Sequence, residues 1–192
     1  MAADHPTVEV KTRSELRVWL EANHDSQGSI WLITWKKHTA HHVPYDAIVE
    51  EALCFGWIDS QPRLLDEDRS MVRLSPRKLG SAWSAVNKRR VSALIEAGVM
   101  QPAGLAVIEL AKASGAWSKV DDAHSGAVPD DLALAFRQHP GSQEQFEAFP
   151  PSARKAILEW IELAKRPDTR KRRVDETARL AALGERANKW RK

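Results

Sequence analysis

Apolar and polar positions along this chain change their period four times, and each change marks the start of a new kind of element. Thr12-Arg-Ser-Glu15 has the capping-box spacing, in which each side chain serves the other residue's free backbone N–H. Leu16, Trp19 and Leu20 then share one helical face, so a helix runs on to about His24 and Gly28. Ser29–Lys36 (SIWLITWK) is rich in Ile, Trp and Thr, which predicts a strand; both of its faces are apolar, which predicts a central one. Pro44–Phe55 predicts a helix with Ile48, Val49, Ala52, Leu53 and Phe55 inward, closed by Gly56. Arg63-Leu-Leu65 and Met71–Leu74 predict two more strands, a hairpin with Asp66-Glu-Asp68 at its tip.

From Ser81 the period is helical. Trp83, Val86, Val91, Leu94 and Ile95 mark a helix closed by Gly98, and Pro102 opens the next, which ends at Gly115. Val120–Val128 reads as a polar linker and a boundary. Pro129 opens a helix that stops at Pro140-Gly141, and Ser142–Phe149 is a short one. Ser152 is the expected cap of a helix carrying Ile157, Trp160, Ile161 and Ala164, and Asp168 that of a basic last helix with a thin stripe of Val174, Ala178 and Ala181. The predicted class is α+β: a small antiparallel sheet of about three strands packed with helices in residues 1–120, then an all-helical lobe in 128–192. Trp31, Ile33, Leu53, Ile95, Ile108 and Trp160 are expected in the core.

Composition removes whole classes of function. Eight tryptophans do not suit a solvated coil, and a single cysteine, Cys54, excludes a disulfide scaffold. Runs such as Ile30–Ile33 and Leu132–Phe136 fall far short of the roughly 20 residues a membrane span needs. Met1–Pro6 holds acid and His in place of an apolar segment, which reads as no secretory signal and makes the cytoplasm the expected compartment. Charge is uneven. Residues 165–192 hold eleven Lys or Arg against four Asp or Glu, a local +7 that leaves −4 for the rest of a +3 chain. A patch at Arg170, Lys171, Arg172 and Arg173 therefore offers two readings, a polyanion site or a solvated helix whose arginines pair with the acidic remainder; the second is the expectation.

Two segments concentrate chemistry. Gly56-Trp57-Ile58-Asp59-Ser60, followed by Arg63, precedes the hairpin; Ser75-Pro76-Arg77 through Trp83-Ser84 and Asn87-Lys88 follows it. A guanidinium reads carboxylate or phosphate in a planar fork, and an indole supplies a flat apolar wall. A hairpin returns the chain, so Trp57 and Asp59 are expected beside Arg77 and Trp83, giving a ligand-binding set of Trp57, Asp59, Arg63, Arg77, Trp83, Ser84, Asn87 and Lys88. The bland alternative makes the tryptophans core and the polar groups caps and ties. His24, His38, His41 and His42 have no specific ligand spacing, so no metal is expected, nor any other cofactor. Cys54, on an apolar helical face, reads as a buried structural thiol.

The same segments carry a resemblance. Trp31, Lys36-Lys37, Tyr45 and Ala52–Ser60, the stretch from Ser75 to Lys88, and Met100, Pro102, Ala103 and Gly104 resemble the YdeI/OmpD-associated family, also called bacteriocin-protection proteins. Pro129–Leu183, with Trp160, Ala164-Lys165, Pro167, Thr169-Arg170 and Arg173, is similar to that family's C-terminal domain. The N-terminal half is distantly similar to the YjbR/CyaY-like small α+β domains. The resemblance implies a helix–sheet layer and a role in stress or antimicrobial protection, and it carries over no catalytic residue. The expected function is a non-catalytic ligand- or partner-binding protein, the ligand a small anion. Two alternatives stay open: an enzyme acting on a small anionic substrate through Asp59, Arg77 and Asn87, and nucleic-acid binding through the basic last helix. Aromatic residues for base stacking are missing among those charges until Trp190.

Overall fold

A computed structural model describes residues 5–188. Met1–Asp4, on which the absence of a signal was read, and Trp190 lie outside the described residues. The chain forms two compact units: one takes the described residues up to Ser81 together with Val86–Ala116, the other takes Ala82–Ala85 and the described residues from Trp117 onward.

The first unit is built on a four-stranded mixed sheet in the order β1-β2-β4-β3. Its strands are β1 (Thr7–Glu9), β2 (Ile30–Trp35), β3 (Trp57–Leu64) and β4 (Arg69–Pro76). β4 runs antiparallel to both β2 and β3, as the hairpin pattern requires. β1 adds a fourth strand, parallel to β2, that the sequence reading did not foresee. Three residues with Glu9 among them are too few to show an alternating period.

Helix α1 (Arg13–Asn23) is capped by Thr12, whose hydroxyl accepts the Glu15 N–H at 3.1 Å. The Glu15 carboxylate reaches one residue further back than a capping box requires, to the Lys11 N–H at 2.8 Å. Leu16 and Leu20 are fully buried below it. Helix α2 (Tyr45–Cys54) buries Ile48, Val49, Ala52 and Leu53. It also buries Glu51, which Arg13 Nε reaches at 2.6 Å and an Arg17 guanidinium nitrogen at 2.9 Å, so a buried carboxylate ties α1 to α2. Helices α3 (Ala85–Glu96) and α4 (Pro102–Ala113) follow. Of the expected core, Trp31, Leu53 and Ile108 are buried, Ile33 is half-buried, and Ile95 is exposed at 47%. Val91 and Leu94 take the inner face of α3 instead.

The second unit is helical. Val120–Val128 is not a plain linker, since α5 (Asp121–Ser125) forms there and Val120 and Ala123 are buried. Then come α6 (Asp130–Gln138), α7 (Ser142–Glu147), α8 (Pro151–Glu162) and α9 (Pro167–Ala182). Both expected side-chain caps are displaced by proline. Pro151 and Pro167 take the first helical turn, so Pro150 and Arg166 hold the cap positions, and Ser152 and Asp168 lie inside their helices. Phe136, Phe146, Phe149, Ile157, Leu158 and Ile161 form the core, closed by the Val174, Ala178 and Ala181 stripe of α9. Trp160 packs half-buried at its margin.

Candidate functional site at the hairpin base

The base of the hairpin is built by Gly56. At φ +74° it takes a conformation that side chains resist, and an added Cβ would stand 2.8 Å from Val107. The chain therefore passes from α2 straight into β3. Strand pairing sets Trp57 opposite Pro76 and Asp59 opposite Leu74. Arg77, next after Pro76, is anchored by its own N–H to the Gly56 carbonyl at 2.9 Å. The two ends of the hairpin thus bring Asp59 and Arg77 into one neighbourhood. Burial pushes the Arg77 guanidinium down to about 10, although the Asp59 carboxylate favours its charge. A register irregularity between Asp59 and Pro62 bends β3 just beyond the site.

Tyr45, the chain's one tyrosine, donates its hydroxyl to Asp59 Oδ2 from the first turn of α2. Burial, then the bond to that carboxylate, pushes its phenol up to about 12. Asp46 beside it accepts from Arg90 of α3, whose other terminal nitrogen reaches Asn87 Oδ1 at 3.0 Å. The cluster is therefore two carboxylates, two guanidinium groups, an amide and a phenol drawn from α2, β3, the segment after β4, and α3. Sequence reasoning placed Asp59, Arg77 and Asn87 in it and missed Tyr45, Asp46 and Arg90 as site residues. A lone tyrosine beside an acid at a helix start was the available signal.

Other expected members lie elsewhere. Trp57 is no ligand wall: it is 1% exposed, gives its indole N–H to the His24 carbonyl at 3.0 Å, and meets Trp19 edge-on at 5.9 Å. Arg63 stands over the Trp31 ring, 4.6 Å from its centroid. At about 3.3 Å per residue it is ~13 Å along β3 from Asp59, toward the hairpin tip. Trp83 and Ser84 fold with the second unit, where Trp83 is 1% exposed and packs on Trp117 at 5.0 Å. Lys88 lies half-buried on α3. The two indoles are packing residues because their flat apolar area is worth most in a core.

Of the four histidines His24, His38, His41 and His42, three are hydrogen-bonded to other groups. His38 pairs with Asp68 at 3.0 Å, His42 Nδ1 bonds the Trp35 carbonyl at 2.9 Å, and His24 bonds the Leu20 carbonyl. Among the described residues no group of three or more His, Cys, Asp or Glu could hold a metal ion. Burial pushes the Cys54 thiol up, which keeps it protonated.

In the basic helix, Arg170 reaches Asp131 from two nitrogens, at 2.6 and 3.1 Å, and Glu162 at 2.9 Å. Arg173 lies over the Trp160 ring and donates to its carbonyl. Lys171 and Arg172 are exposed and line a shallow groove of about 490 Å³ with His139, Asp168, Asp175, Glu176 and Arg179, a surface of mixed charge.

Comparison with known proteins places the chain. Residues 8–107 match the model of a domain of unknown function, DUF8412. The chain belongs to the DUF8412 family. Residues 126–184 match the bacteriocin-protection, YdeI or OmpD-associated model, so the C-terminal part is similar to that family. Comparisons with curated proteins and with solved structures find no match. The YdeI/OmpD-associated resemblance is thus supported for α6–α9. The DUF8412 region is what occupies the N-terminal half, and the YjbR/CyaY-like resemblance expected there has no support. The hairpin-base cluster lies in the DUF8412 region, and no helix of the described residues is long and apolar enough to cross a membrane.

Proposed function

We propose that this chain is a non-catalytic cytoplasmic binding protein that captures a small anionic ligand at the hairpin base. Arg77 reads the anion, Asp59 and Tyr45 hold the guanidinium's surroundings in place, and Asn87 and Lys88 flank the site. The observation that carries this reading is the state of Arg77. The strand return sets it beside Asp59 at the base of the hairpin, with its backbone anchored to Gly56, and a planar guanidinium partly withdrawn from water suits a carboxylate or phosphate. Tyr45 supports the reading as a positioning group: held at about 12, its phenol stays protonated at neutral pH and gives its one O–H to Asp59. The protection against bacteriocins that the YdeI/OmpD-associated description names would follow from such binding, with the helical lobe as the partner-facing part.

Arg77→Lys tests the site, because it keeps the charge and loses the planar fork. Titration calorimetry with inorganic phosphate and with citrate should show binding to the natural chain and a loss of at least about tenfold in the variant, equivalent to about 1.4 kcal/mol. Circular dichroism should show the same helix content in both. Equal affinity in the two proteins, or no binding of either anion to the natural chain, overturns the reading.

A further inference from the structure

A cleft on the α2 side of the sheet shares only Tyr45 with the hairpin-base cluster. It has a volume of about 170 Å³. Val43, Ile48, Pro62 and Met71, with Trp35 and Tyr45, give it a mainly apolar lining. A cavity of roughly 150 Å³ takes a benzene-sized ring, so this one admits a single ring or a short branched chain.

Among the residues that line it, three polar features have unspent capacity. Thr34, 7% exposed, and Ser70 both line the cleft, and their hydroxyls touch only at 3.4 Å, the long end of a hydrogen bond. The buried indole nitrogen of Trp35 has no hydrogen-bond partner. Lys36 sends its ammonium to two backbone carbonyls, Asp66 at 2.7 Å and Glu67 at 2.8 Å. An ammonium has three N–H groups, so one donor and the full positive charge remain for a ligand. Carbonyls serve a lysine's hydrogen bonds without neutralising it. His42, also in the lining, is engaged through Nδ1 with the Trp35 carbonyl.

From this combination we infer that the cleft is a binding site for a small apolar carboxylic acid, an aromatic or branched aliphatic one. The carboxylate pairs with Lys36 at the mouth, and the apolar body lies among Trp35, Val43, Ile48 and Met71. This goes beyond the hairpin-base reading and does not use Arg77.

The experiment titrates the natural chain with benzoate, benzyl alcohol and acetate, followed by amide and indole N–H resonances. The expected result is that benzoate shifts the Trp35 indole N–H and the amides of His42, Ser70 and Met71. Benzyl alcohol should bind about tenfold more weakly for lack of a charge-assisted bond, and acetate should leave these signals unmoved for lack of a body. Lys36→Met should bring benzoate down to the level of the alcohol, whereas Arg77→Lys should leave benzoate binding unchanged. Benzoate that moves none of these resonances, or that binds no better than benzyl alcohol, overturns the inference. Since those comparisons use only the natural chain, a poorly folded variant does not blunt them. Benzoate that loses its binding in Arg77→Lys but not in Lys36→Met also overturns it, and returns the anion to the hairpin base.

Discussion

Tyr45 and Arg77 place opposite signs on stability in the same alkaline window. The folded state holds the Tyr45 proton up to about 12 against an ordinary value of 10.0, so between those values the native state binds more protons than the unfolded one. That contribution is present in full below pH 10 and is lost as pH rises toward 12. Arg77 runs the other way: burial holds its folded value at about 10, well below that of a free guanidinium, so the cost of its burial is relieved as pH rises above about 10. Tyr45→Phe removes the first effect alone. Denaturant midpoints should therefore show the natural chain losing ground to the variant from pH 10 to 12; a constant difference would mean that Asp59 does not hold the phenol. At this scale the sequence was half legible. Asp59 and Arg77 could be paired from hairpin topology alone, since their meeting depends only on the chain's return. Trp57 and Trp83 were misread as ligand walls, because a sequence shows that an indole stands near charge but not which way its ring faces. Ile95 failed for the same reason, one step round the helix from Leu94.

Among the elements, α2 and α4 approach more closely than side chains normally permit. A Cβ on Gly104 would sit 2.3 Å from the Cys54 carbonyl oxygen and 2.8 Å from that of Leu53, both backbone atoms that cannot swing aside. The Gln101 N–H also reaches the Cys54 carbonyl, at 3.1 Å, so this crossing is where α4 starts against the end of α2. Gly104→Ala should destabilise by about 1–3 kcal/mol or more, the ordinary cost of overpacking, against the gain that alanine brings to a free helix. Urea unfolding measures it, and a stabilised variant would mean that the helices part easily. The hairpin, α1, α2 and α4 were readable because their signals are local: a capping spacing, an apolar face, a proline at the first turn. The β1 strand and the buried Glu51 tie were not, since each depends on a partner more than 20 residues away with no local mark.

At the scale of the molecule, part of the basic excess of residues 165–192 meets partners within the second unit. Arg170 is held by Asp131 and Glu162, and Arg173 by Trp160, leaving Lys171 and Arg172 interleaved with acids on the open face of α9. Binding to heparin or duplex DNA should accordingly be undetectable by fluorescence anisotropy at about 0.15 M salt, where charges more than ~8 Å apart are screened. Micromolar affinity there, with a steep salt slope, would restore the nucleic-acid reading. The division of the chain has a consequence for its synthesis. Trp83 belongs with Trp117, yet the segment between them returns to the first unit, so the indole emerges 34 residues before its ring partner. At roughly 5–20 residues per second, a nascent chain shows that bare apolar surface for about 2–7 seconds. In that interval the growing polypeptide carries an uncovered indole, which finds its place only when the helical lobe starts to appear.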